Sequence, residues 1–133
     1  MFTCPLNQVL TTNDNFYQDD YMNIVKAVIV LYEKLPADVN ASSNPRADFA
    51  ACLVRAAGHD FMDFRINPDS TTTGGMDACI NFVDPDNVGL RECLQATNVS
   101  TIYSQYCDRL SLADFFVIMS EAVLIRTEPS FSL

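Results

Sequence analysis

One histidine, His59, stands in the whole chain, so any chemistry that needs two imidazoles from this polypeptide is excluded. No two of the five cysteines (Cys4, Cys52, Cys79, Cys93, Cys107) fall in a Cys-x-x-Cys spacing. With a single histidine beside them, they supply no zinc set. Basic residues are scarce, eight Lys and Arg against seventeen Asp and Glu, for a net charge of −9. They are scattered without aromatic interleaving, which argues against nucleic acid or an anionic membrane as partner. The longest apolar region, Leu110 to Leu124, is interrupted by Asp114 and Glu121 and is too short to span a bilayer. Met1 to Leu10 lacks the basic flank and apolar core of a signal peptide; the expectation is a leader already removed or an internal start.

What the chain does have is a core. At 133 residues and 49% hydrophobic it fits one domain and is too apolar to be disordered. Residues 1–15 are polar and turn-rich and read as an arm, with a single helical domain over 16–133. Ile24, Val25, Val28, Ile29, Leu31 and Tyr32 recur at helical spacing and predict a first helix over about Tyr17 to Leu35, stopped by Pro36. Asp38 to Asn44 is a polar linker. Asn44-Pro45 offers a cap and a first-turn proline for a second helix, ending near Gly58, a natural terminator. Residues 61–86 form a long irregular segment punctuated by Asn67-Pro68-Asp69, Gly74-Gly75 and Asp84-Pro85-Asp86. A loop of that length in a small domain is usually functional or ordered by a metal. A third helix is expected over about Val88 to Tyr106. A fourth, Ser111 to Ile125, is apolar nearly all round and so central and buried. The expected class is therefore all-α, about four helices with one long ordered loop.

Two positions in the second helix carry chemistry. Arg55 and His59, four apart, project from one helix face and bring a cation and a titratable base to one spot. The plainer account of such a pair is a cap or a surface arrangement. Five cysteines allow at most two disulfides and leave a thiol over. Together with the sequons Asn40-Ala41-Ser42 and Asn98-Val99-Ser100 they favour a secreted or organelle-lumen setting.

Beyond the pair, the order of landmarks matters. Arg55, three residues, His59-Asp60, then Gly75-Met76-Asp77-Ala78-Cys79, then Asn87, then Ala113-Asp114 opening an apolar helix, resembles the distal half of a haem peroxidase of the plant, fungal and bacterial superfamily. Asn23-Ile24-Val25-Lys26 resembles the start of that family's first helix. The resemblance implies that His59 is the base of a peroxide site, Arg55 its cation, and Asn87 the partner that fixes the His59 tautomer. It implies haem and calcium as cofactors, the calcium held by Asp60, Gly75 and Asp77. From the residues alone, Asp60 and Asp77 serve equally well as caps of local turns. Asp63 and Asp69 are expected to be merely solvated, and Phe61, Phe64 and Phe82 to anchor the loop by packing.

The departures are as definite. Gly58 stands where the family carries a large residue facing the haem, and Cys79 where it has a calcium-ligating serine; thiol sulfur is a poor ligand for so hard a cation. The family's axial histidine lies beyond the segment matching Ala113-Asp114, and no second histidine follows. The expectation is a half-length member or a fragment of a longer product, working as a non-catalytic subunit or scaffold whose exposed apolar face is covered by a protein partner. The alternative is the distal part of a peroxidase whose axial ligand comes from elsewhere. A Cys79–Cys93 bridge is expected to hold the loop exit, across the turn at Asp84-Pro85-Asp86-Asn87. The resemblance implies, more loosely, Cys4 with Cys107.

Overall fold

The computed structural model describes residues 2–6, 16–37 and 44–128. These form a mainly helical body of five α-helices: α1 (Gln18–Lys34), α2 (Pro45–Phe61), α3 (Leu90–Thr97), the short α4 (Ser100–Tyr103) and α5 (Leu112–Thr127). A two-residue antiparallel ladder, β1 (Arg65–Ile66) with β2 (Thr72–Thr73), pins the tip of the long loop, and a 3-10 turn covers Pro85–Asn87. The sequon at Asn40 and most of the N-terminal arm lie outside the described residues.

The helices start and stop for local reasons. The Tyr17 N–H donates to the Asp20 carboxylate at 3.2 Å, and Asp19 and Asp20 place negative charge at the positive end of α1. The Asn44 side chain accepts from the Ala47 N–H at 3.1 Å, and Pro45 occupies the first turn of α2. Ser111 does the same for α5, accepting from the Asp114 N–H at 3.0 Å. Arg46 closes the other end of α1: it donates to the carbonyls of Leu35 and Glu33 while its guanidinium lies over the Tyr32 ring.

α5 is the centre. Phe115, Phe116, Met119, Ala122 and Val123 are at most 2% exposed and pack against α1 (Ile24, Val25, Val28) and α2 (Phe49, Leu53, Ala56). Fully burying one such side chain is worth about 1.5–3 kcal/mol. Phe2 joins this core, its ring edge-on to Tyr103, Phe115 and Phe116. The start of the arm, read from sequence as polar and turn-rich, is thus an anchor, held further by the Cys4–Cys107 disulfide.

Three expectations are corrected. α2 does not end at Gly58 but runs to Phe61: the backbone hydrogen bonding continues through a residue whose preference against helix is weak, and Asp60 falls on the buried stripe at helical spacing from Cys52, Leu53 and Ala56. The third helix is not continuous. Leu90, Leu94 and Thr97 are buried, but extending that phase would bury Thr101 and Gln105; Asn98 enters the left-handed region (φ 58°) and re-phases the chain so that Val99, Ile102 and Tyr103 face the core instead. Finally, Cys93 pairs with Cys52 and not with Cys79, whose thiol is free and exposed. Cys52 lies on the buried stripe of α2 opposite α3, a neighbour through packing that sequence distance conceals.

Non-reducing peptide mapping should find Cys4 linked to Cys107 and Cys52 to Cys93, with Cys79 alone open to alkylation. Replacing both Cys52 and Cys93 by serine should cost about 2–4 kcal/mol in denaturant titration. A Cys79–Cys93 peptide would refute this connectivity.

Candidate functional site

The loop between α2 and α3 has little regular structure and makes short-range turns of its own, so its anchors to the helical body come from elsewhere. One end and one face of α2 supply them. Arg55 donates through its two terminal nitrogens to the carbonyls of Val88 (3.0 Å) and Asp86 (2.9 Å), clamping the turn that precedes α3. One turn further along, the His59 Nδ1 lies 2.6 Å from the Asn87 Oδ1. The Asn87 amide is itself oriented, since its Nδ2 donates to the Asn81 carbonyl at 2.9 Å. Oδ1 therefore faces the ring, and a neutral His59 carries its proton on Nδ1. That leaves Nε2 as the acceptor, 3.4 Å from the Arg55 Nε.

The three residues singled out from sequence, Arg55, His59 and Asn87, thus meet in one hydrogen-bonded chain. Sequence reasoning missed the Asn81 carbonyl that orients Asn87, and the Asp86 and Val88 carbonyls that hold Arg55, because a backbone carbonyl leaves no signal in residue type. Around the pair, the α2 surface is open: Val54 and Met62 are exposed, and a Cβ at Gly58 would meet no atom within 4 Å.

Asp60, Gly75 and Asp77 form a second cluster on the loop side of α2. Asp60 is 1% exposed; its Oδ2 accepts from the Ala78 N–H at 2.8 Å, while Oδ1 has no hydrogen-bond partner. Burial pushes the Asp60 carboxyl above the usual carboxylate range; the Ala78 N–H opposes this, and the nearby charges of Asp77 and Asp63 add to it. Asp77 does cap a local turn, accepting from the Cys79 N–H at 2.9 Å. Asp63, expected to be merely solvated, accepts from the Gly75 N–H at 2.6 Å. Gly74, at φ +66°, is required here, because a Cβ would collide with the Asp63 carboxylate and carbonyl.

A buried acceptor with no donor is satisfied either by a proton of its own or by a cation. Among the described residues no group of three His, Cys, Asp or Glu side chains is gathered to hold a metal alone, so such an ion would also draw on backbone carbonyls. Cys79 adds little: the Asp77 charge, with burial and a hydrogen bond to Asp77, pushes its thiol up and keeps it protonated. Of the aromatic residues expected to anchor the loop, Phe82 packs on the core and under the Arg91 guanidinium, and the Phe64 ring lies against the Gly75 turn. Phe61 and Phe64 are 66% and 50% exposed; α2 turns Phe61 away from the core when it continues past Gly58.

The raised Asp60 carboxyl fixes the sign of a pH effect. Its folded-state value lies above the unfolded one, so the stability it contributes is complete below the ordinary aspartate range and is lost as pH rises through the raised value. In chelator-treated protein, Asp60→Asn should match the wild type at low pH and exceed it at pH 7 by about 1 kcal/mol, the scale of a buried polar group left unsatisfied. Denaturant titrations across that range check this; a wild type that gains on the variant as pH rises would contradict it.

Comparison with protein-family models, curated proteins and solved structures gives no match to this chain.

Proposed function

We propose that Arg55, His59 and Asn87 form the peroxide-handling side of a haem site, whose axial ligand is supplied from outside these residues by another chain or by a further segment of a longer product. The observation that supports this most is the hydrogen-bonded sequence from the Asn81 carbonyl through Asn87 to His59, which leaves Nε2 as an unprotonated base on an open apolar face. His59 Nε2 takes a proton from hydrogen peroxide and returns it to the departing oxygen. Arg55 offsets the negative charge that develops between the oxygens, and its grip on the Asp86 and Val88 carbonyls keeps the guanidinium beside Nε2. Peroxide enters by widening the 3.4 Å contact between Arg55 and His59. A bound haem would supply the electrons for O–O cleavage, and Val54, Gly58 and Met62 are the α2 residues that would hold it beside Arg55 and His59. Since His59 is the base and no second histidine exists, the chain alone should not give a histidine-ligated haem.

The same reading places calcium at Asp60, Asp77 and the carbonyl groups near Gly75, where the ion would meet the unpartnered Asp60 Oδ1. A second reading, a non-catalytic subunit that keeps the fold as a scaffold, is favoured by a different observation. Val54 on α2 and Val117 and Leu124 on α5 are exposed, although α5 is otherwise the most deeply buried helix, and such surface is commonly covered by a protein partner.

Reconstitution with haem, using free imidazole as surrogate axial ligand, tests the first reading. Peroxide-dependent oxidation of an aromatic donor should fall about 10²–10⁴-fold in His59→Ala. Equal rates would leave only the scaffold, whereas a monodisperse monomer with His59-dependent turnover would reject the scaffold. Calcium at a hundred times its dissociation constant should stabilise the wild type by about 2.7 kcal/mol and leave Asp60→Asn unchanged. An unshifted melting temperature of the wild type in millimolar calcium would remove the cation from the proposal.

A further inference from the structure

The turn that re-phases the chain between α3 and α4 is also a modification sequence, Asn98-Val99-Ser100. Asn98 is exposed, in left-handed backbone (φ 58°, ψ 16°) at the C-terminal end of α3. Its backbone is fully engaged. The N–H donates to the Gln95 carbonyl, and its own carbonyl accepts from the Thr101 N–H and the Thr101 hydroxyl. None of these bonds uses the side-chain carboxamide, so derivatising that amide breaks nothing that holds the turn. Val99 between the two polar residues is fully buried. The fold thus grips the sequon by its middle residue, and Asn98 stays outside.

Position matters as much as exposure. α3 has eight residues, about 12 Å at the helical rise, and its opposite end begins just after Val88, whose carbonyl holds Arg55. A group on Asn98 is therefore attached a helix length away from the turn that Arg55 holds. Two disulfides in the fold are compatible with an oxidising compartment, where enzymes that glycosylate such sequences also act.

We propose that Asn98 carries an N-linked oligosaccharide. In that step the Asn98 Nδ2 loses a proton and forms a bond to C1 of the first sugar. The C1–oxygen bond to the diphosphate of a lipid-linked oligosaccharide donor breaks, and the diphosphate leaves with the electron pair. The attached glycan is hydrophilic and covers the α3–α4 turn.

The test is secretion of the full chain from a eukaryotic host behind a cleavable leader, followed by enzymatic deglycosylation that converts a glycosylated asparagine to aspartate. Peptide mass spectrometry should find aspartate at position 98. Ser100→Ala should abolish the modification, and Ser100→Thr should retain it. Asn98→Asp, which tolerates left-handed backbone, controls for folding: it should be secreted with the wild-type helical signal but without the glycan at 98. An unmodified Asn98 in secreted wild-type protein, or glycan confined to Asn40, would overturn the proposal.

Discussion

The long segment between α2 and α3 is held to the helical body by hydrogen bonds to side chains outside its own turns. Beyond one two-residue ladder and a few turns it has no regular structure, and those turns do not tether it to the body. The C-terminal half of α2 supplies these side chains: Arg55 for the carbonyls at 86 and 88, Asp60 for the amide at 78, and His59 for the side chain of Asn87. Asp63, just past the helix, adds the amide at 75. The candidate site and the support of the loop are therefore the same residues. A change made to probe one also loads the other, which is why each variant needs a folding readout beside its activity.

This dual use constrains how the cluster can work. A guanidinium already donating to two carbonyls has its position set before any small molecule arrives, so it offers charge at little reorganisation cost. It is also less free to reach outward than an arginine held at one end only. One residue on from His59, the buried Asp60 favours a neutral carboxyl or a bound cation over a bare charge. One helix thus presents two chemically different faces to the same loop.

Much of this was legible in sequence and some was not, for definite reasons. The limits of α1 and α5 and the start of α2 follow from caps, Pro36, Pro45 and apolar periodicity. The break at Asn98 was hidden because Leu90 to Tyr106 looks amphipathic in two segments of different phase, and only the burial of Val99 shows which phase wins. Gly58 is not the helix end: the backbone hydrogen bonding runs on through it, the Met62 N–H donating to the Gly58 carbonyl, and a glycine's preference against helix is weak. Arg55, His59 and Asn87 were visible as side chains, and the structure brings them together. The carbonyls that orient them were not, nor was the place of Asp63, whose partner is a backbone N–H. Cys52 as the mate of Cys93 needed the packing of α2 on α3.

The two disulfides have a topological consequence. The Cys52–Cys93 link lies within the stretch closed by Cys4–Cys107, so in the oxidised chain α1, α2, α3 and α4 all belong to nested covalent rings. α5, which contributes the largest share of the deeply buried aromatic and aliphatic side chains, begins just after Cys107 and lies outside both rings. Its place in the core is kept by non-covalent contact alone. Withdrawing α5 would therefore release chain entropy that neither disulfide restrains, and what opposes it is the burial of its own apolar side chains.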